Sequence, residues 1–256
     1  MKNEYFADIN DYRKYGLLRC FIEAGFSLGV CWMLTPDTGG KDGQKTAYLD
    51  QAARWRMNDP HLFDFLATTF HKRRRRSVSH IEKSGLLPNT RFMSEILRDS
   101  AFDRQKYISS MQQRLAGTDL IFFDPDNGIE VRSVMYGARR SAQYLYWNEI
   151  ESVWPQGSSL LIYQHFPRER RSQYTARLLT ELQERTATSL VAAASTANVL
   201  FLFAGHAAHR SRFNKAATLI KQRWANQITL SLIDSYSQSS VHPGLEASMN
   251  RVAGVH

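Results

Sequence analysis

Apolar and polar positions follow two rhythms along this chain. From residue 11 to residue 24, Tyr12, Tyr15, Leu18, Phe21 and Ile22 recur at helical spacing, which predicts an amphipathic helix that stops at Gly25. Residues 28–34 (LGVCWML) form a compact apolar run of strand length. The nine residues after it, TPDTGGKDG, are dense in turn formers and predict a loop. Residues 48–70 return to helical periodicity, broken at Asn58-Asp59-Pro60 where a new helix begins, and residues 92–115 read as helical again.

The clearest strand is 119–123 (DLIFF), a continuous apolar run that suits burial on both faces. It ends abruptly at Asp124-Pro125-Asp126-Asn127-Gly128, where proline removes a ladder donor and Asn-Gly tolerates positive φ. Helix is expected over 143–153, 169–186 and 211–224. Strands are expected over 158–163, 198–203 and 227–233. Strands alternating with helices predict an α/β fold around a largely parallel sheet. One domain is expected over residues 1–234, with a basic helical segment inserted at about 50–115 and a flexible Ser/Gln/Gly-rich tail over 235–256.

Composition narrows the classes. The 256 residues are 43% hydrophobic and 22% charged, which argues for a globular chain. No run approaches the length of a membrane span, and the N-terminal residues lack a secretory apolar core, so a cytoplasmic protein is expected. The two cysteines, Cys20 and Cys31, sit in apolar contexts and read as buried free thiols. The formal charge of +9 is clustered, chiefly at His71-Lys72-Arg73-Arg74-Arg75-Arg76 and around Arg168, Arg170 and Arg171. Such clusters favour a nucleic-acid partner, DNA or RNA, with Arg73, Arg74, Arg75, Arg76 and Arg168 on its phosphates; a solvated basic face is the plainer reading.

In sheets of this kind ligands bind beyond the carboxyl ends of the strands. The polar residues gathered there are Asp37, Asp124 to Asn127, and Gln164-His165. A strand that ends in Asp124-Pro125-Asp126-Asn127 resembles the (Asp/Asn)-Pro-Pro-(Tyr/Phe) motif of class I S-adenosylmethionine-dependent adenine-N6 methyltransferases. The N-terminal segment Asp8-Ile9-Asn10-Asp11-Tyr12-Arg13-Lys14-Tyr15 is similar to the Asp-x-x-Lys-His segment of large-subunit rRNA adenine-N6 methyltransferases. The resemblance implies a Rossmann-like, methyltransferase-type sheet and S-adenosylmethionine as cofactor. It also implies that the strand-end residue and the proline carbonyl accept the target amine's hydrogen bonds, with Lys14 beside them.

On that reading Asp124, Pro125, Asp126, Asn127, Lys14 and His165 are the catalytic candidates, and Asp11, Asp37, Gly39 and Gly40 the cofactor-binding ones. Asp126 and Asn127 stand where the family has proline and an aromatic, so the base-stacking ring is unassigned among Phe122, Phe123, Trp147, Tyr163 and Phe166. The loop 38–43 lacks the spacing of a phosphate-binding loop, and no Gly-x-Ser-x-Gly elbow is present. Two alternatives stay open. One is a nuclease holding Mg²⁺ on Asp124, Asp126 and Glu130; the other is a relative that binds nucleic acid without chemistry.

Overall fold

The computed structural model describes residues 1–40, 43–73 and 75–232. The expected tail 235–256 and Arg74 lie outside the described residues. In chain order the elements are α1 (Ile9–Glu23), β1 (Leu28–Cys31), α2 (Ala52–Trp55), α3 (Pro60–Lys72), α4 (Ser79–Glu82), β2 (Thr90–Met93) and α5 (Ala101–Leu115). There follow β3 (Leu120–Phe123), β4 (Gly128–Ile129), β5 (Tyr144–Leu145), α6 (Trp147–Val153), β6 (Ser159–His165), α7 (Arg171–Thr186), β7 (Leu190–Ser195), β8 (Val199–Gly205), α8 (Arg210–Trp224) and β9 (Thr229–Leu232).

Seven strands build one sheet in the order β2-β1-β3-β6-β8-β7-β9. The pairs β1–β2, β1–β3 and β3–β6 are parallel, whereas β6–β8, β7–β8 and β7–β9 are antiparallel. Strands β1, β2, β3, β6 and β7 therefore point one way, and the hairpin strand β8 is threaded back between β6 and β7. This is a Rossmann-like α/β sheet covered on both faces. Along β3, Leu120 and Phe122 enter one apolar core with residues of α1, α3 and α8. Ile121 and Phe123 enter the other with residues of α5, α6 and α7. Two-sided burial is why DLIFF carries no polar alternation.

Helix α1 starts where Asp8 caps it, its carboxylate accepting the Asn10 N–H at 2.9 Å. It packs on α8 so closely that a Cβ on Gly16 would lie 1.9 Å from the Trp224 ring. Both cysteines are buried and free.

Three expectations need correction. Residues 92–115 are not one helix: residues 90–93 are the sheet's edge strand β2, and α5 begins after Ser100, whose hydroxyl accepts the Asp103 N–H. The segment 50–115 is thus not a helical insertion, because it returns to the sheet before α5. Strand β7 has no counterpart among the expected elements; its alanines suggest helix, yet it is paired on both sides. Finally, the apolar run 28–34 leaves strand geometry after Cys31, with Met33 at φ +46, and rejoins only through a single bridge from Leu34 to Ile96.

Candidate functional site

The chain leaves β1 towards β2 on one side, while β3 lies on the other, so the sheet's topology switches between β1 and β3. A crevice opens beyond the carboxyl ends of strands at such a point. Here it is a cavity of about 470 Å³ bounded by the first turns of α1, the 43–45 loop, the strand-end turn 124–127 and the end of β6.

Asp11 and Lys14 are one helical turn apart on α1, and Tyr15 follows on the same face. Lys14 Nζ lies 2.8 Å from Asp11 Oδ1 and 2.7 Å from Asp124 Oδ2, and the Tyr15 hydroxyl donates to Asp11 Oδ2 at 3.0 Å. All three charged groups are buried. Desolvation pushes the Asp11 carboxyl up to about 6, only partly offset by the Lys14 charge, and it raises Asp124 as well. Burial alone would lower Lys14, but its two carboxylates overcome that and raise it. The ammonium is therefore locked in its charged form between two acids that would rather be neutral. The Lys14 ammonium also stands 5.0 Å from the centre of the Tyr163 ring.

Asp126 points the other way along the turn. Its Oδ2 accepts the Thr35 hydroxyl at 2.5 Å, and its Oδ1 lies 2.7 Å from the Met1 amine. The same amine donates to the carbonyls of Asp124 at 3.0 Å and Met33 at 3.2 Å, tying the ends of β1 and β3 together. Asn127 is fixed by Gln143, through its backbone N–H at 2.9 Å and its side-chain amide at 3.2 Å. Gly128 must be glycine: its φ is +118, and a Cβ there would meet the Gln164 amide at 2.2 Å. That close approach lets Gln164 Oε1 accept the Ile129 N–H at 2.6 Å and anchor the whole turn to β6.

The structure thus gathers Asp11, Lys14, Asp124, Pro125, Asp126, Asn127 and His165 around one cavity. His165 stands edge-on to Tyr163 at 5.2 Å. Part of its ring meets solvent, yet desolvation of the rest, followed by the Lys14 charge, holds it below the ordinary histidine value. Of the five candidate stacking rings only Tyr163 lines the cavity. Phe122, Phe123 and Trp147 are buried in the cores, and Phe166 lies under the Arg171 guanidinium.

Other expected residues are placed elsewhere. Asp37 accepts the Glu4 N–H, and the N–H groups of Thr38 and Gly39 both donate to the Glu4 carboxylate. The glycine loop is engaged with the chain's own N-terminal segment, so Asp37 and Gly39 do not line the cavity. Gly40 borders a shallower hollow with Glu4, Gln44, Thr46 and Arg76. The basic run is not one face either. Arg76 donates to the carbonyls of Glu4 and Gly43 and covers Phe70, whereas Arg73, Arg75 and Arg168 are exposed. The three carboxylates of the metal alternative are not brought together. Glu130 accepts the Trp147 N–H at 2.8 Å, and no group of three His, Cys, Asp or Glu side chains among the described residues could hold a metal ion.

Tyr5, Asp8 and Lys45 also line the cavity and were not singled out from sequence. Asp8 was legible as a helix cap. Lys45 and Tyr5 reach the cavity only because Asp8 Oδ2 accepts the Lys45 N–H and because Arg76 pins the N-terminal segment. The lining carries four carboxylates (Asp8, Asp11, Asp124, Asp126) against three cations (Lys14, Lys45 and the Met1 amine), with Tyr5 and Tyr163 on its walls. A small acid surplus beside aromatic faces suits a ligand that carries positive charge.

No model of a protein family matches this chain, and no curated protein matches it. Among solved structures it is similar to the crystal structure of protein LPL1258 from Legionella pneumophila str. Philadelphia 1, assigned to family-model DUF519. The two share 13% identity with a TM-score of 0.44, over 91% of this chain and 98% of that one. No helix of the described residues is long and apolar enough to cross a membrane.

Proposed function

We propose that the cavity is the reaction site of a class I, S-adenosylmethionine-dependent methyltransferase acting on an exocyclic amine of a nucleic-acid base. One observation carries this reading. The two sequence segments that resemble the adenine-N6 methyltransferases lie 110 positions apart, and their Lys14 and Asp124 meet at 2.7 Å beside the switch point of the sheet. The sheet order also supports it, since the antiparallel β8 inserted before the last parallel strand β7 suits the methyltransferase arrangement.

The cavity fits the cofactor in charge. A sulfonium is a cation, and the carboxylates of Asp8 and Asp11 on the α1 side, with the Tyr163 face, would hold one. The cofactor would supply the electrophilic methyl group. The chain's own residues do the rest. Lys14 favours the charged form of Asp124 and aims it, so that its carboxylate presents an acceptor to an incoming amine N–H. Pro125 fixes the backbone at the strand end, and the Gln143 and Gln164 contacts hold the turn rigid. The exposed Arg73, Arg75 and Arg168 supply positive charge for a phosphate backbone. The nuclease alternative has no comparable support, because its carboxylates are engaged separately.

Calorimetric titration with S-adenosylmethionine and with S-adenosylhomocysteine tests the reading. Saturable one-site binding that survives Asp124→Ala is expected, because the acceptor serves the amine and not the donor. Absence of binding by either compound would overturn the assignment.

A further inference from the structure

Beyond the cavity, the chain carries a surface whose composition asks for a partner. Five large apolar side chains stand out as exposed among the described residues: Met57, Ile96, Phe102, Val131 and Met135. Four of the five belong to two segments that touch. Phe102 is 75% and Met135 76% exposed, with Ile96 at 55% and Val131 at 41%. Gly137 sits so close to the start of α5 that a Cβ there would lie 2.9 Å from that of Ala101. Asp99 ties the segments further, its carboxylate accepting the N–H groups of Arg140 at 3.0 Å and Ala142 at 2.8 Å. The 131–140 loop leaves the strand-end turn beyond Asn127 and returns at Gln143, so it is anchored at both ends near the cavity wall.

Arginines are interleaved with these apolar groups. Arg98, Arg132, Arg139 and Arg140 are exposed, and none makes an ion pair among the described residues. The neighbouring acids are held in place by local contacts, although only Glu95 faces a cation. Glu95 faces Arg114, Asp103 accepts the Ser100 hydroxyl, Asp99 caps the loop and Glu130 accepts from Trp147. Within the two segments four arginines stand against the one carboxylate of Asp99, so the surface pairs unshielded apolar area with a net positive charge. Phenylalanine, methionine and arginine without lysine is the composition of protein interfaces.

We propose that segments 96–102 and 131–140 form a docking surface for a different protein, one that presents apolar anchor pockets ringed by carboxylates. Charge complementarity selects this occupant. A second copy of the chain would set arginines against arginines across a two-fold interface. A single-stranded nucleic acid would find one fully exposed aromatic ring to stack on, because Tyr136 is half-buried against Arg104 and Tyr146, while Ile96, Val131 and Met135 offer no ring face. The proposal is independent of the chemistry assigned to the cavity.

The test places a photoreactive benzophenone side chain at Phe102, at Met135 or, as a control, at Met57 of the full chain, and irradiates cells that produce it. The expected product is the same acidic protein crosslinked from positions 102 and 135 and not from 57. That protein is then purified and titrated against the unmodified chain. Phe102→Glu combined with Met135→Glu is expected to weaken binding by at least about 100-fold. Arg139→Gln with Arg140→Gln is expected to weaken it by roughly tenfold and to flatten its salt dependence. Met57→Glu is expected to leave it unchanged. Crosslinks only to nucleic acid, to lipid or to a second copy would overturn the proposal, as would no crosslink at all. Equal affinity of the Phe102→Glu/Met135→Glu chain would overturn it as well.

Discussion

Replacing Lys14 with methionine removes the one ammonium shared by Asp11 and Asp124. Methionine matches the stem's volume, so the loss is electrostatic and leaves little cavity. Both carboxylates are almost wholly buried, at 2% and 1% exposure, and Asp11 then keeps only the Tyr15 hydroxyl. Removing one partner from a buried ionic cluster costs about 3–5 kcal/mol, a large share of the roughly 5–15 kcal/mol that holds a domain together. For a chain of this size about 1 kcal/mol moves the melting temperature by about 2–4 °C, so a drop of about 6–20 °C is expected near neutral pH. The pH dependence adds a sign. Asp11 has a folded pKa of about 6 against an ordinary 3.8, so its ionisation costs stability above pH 6, and the cost fades as pH falls towards 3.8. Without Lys14 that carboxyl rises further, so acidification from pH 7.5 to 5.5 rescues Lys14→Met more than the parent. Adding Asp11→Asn to Lys14→Met is expected to recover much of the loss at pH 7.5. Thermal and urea unfolding at both pH values read these effects. A Lys14→Met chain that melts within about 2 °C of the parent at pH 7.5, with no extra rescue by acid, would refute the reasoning.

Gly128→Ala forces a Cβ into the Gln164 amide at a positive φ, so circular dichroism melting is expected to show a loss of about 1–3 kcal/mol. His209 accepts or donates to the Ser159 hydroxyl at 2.7 Å, and desolvation, then the Arg212 charge, holds its pKa below 6.5. A base kept neutral in the fold gives stability that is full above pH 6.5 and is lost as pH falls from there through the lower folded pKa. Urea titrations from pH 7.5 to 5 are therefore expected to show a steeper acid loss for the parent than for His209→Gln. Within the basic run, Arg73→Gln with Arg75→Gln is expected to lower the salt slope of RNA or DNA binding by about 0.7–0.9 per lost contact, without changing the melting temperature. Arg76→Gln is expected to lower the melting temperature, because that side chain pins Glu4 and Gly43.

The elements legible in the sequence are those whose pattern is set by burial alone. Helix α1 was legible from the spacing of its apolar residues, although it is buried on most of its circumference and not along one stripe. Strand β3, together with the 160–163 stretch of β6, is apolar because helices cover both faces of the sheet. Strand β2 was hidden because it is an edge of four residues, with Arg91 exposed and Thr90 and Phe92 half-covered. Strand β7 was hidden because Ala192, Ala193 and Ala194 carry no strand preference; pairing with β8 and β9 imposes it. The candidate site was legible at Asp124 and Asn127, where the strand breaks off. Lys14 and Asp11 entered through resemblance, and only the fold explains them, since a helix 110 residues upstream supplies the counter-charge. Asp37 and Gly39 misled because nothing local shows that Glu4 will fill the loop's N–H groups. Arg76 misled for a similar reason, as one guanidinium in a charge run turned inward onto backbone carbonyls.

The central claim is that Asp124, held by Lys14, receives an amine for methylation. Its most direct measurement is transfer of isotope-labelled methyl from S-adenosylmethionine to RNA and DNA, with the parent and Asp124→Ala compared side by side. Label on an exocyclic base amine is expected with the parent, and a rate at least about 10²-fold lower with Asp124→Ala at unchanged cofactor affinity. No label on either nucleic acid, or equal labelling by the two chains, would contradict it.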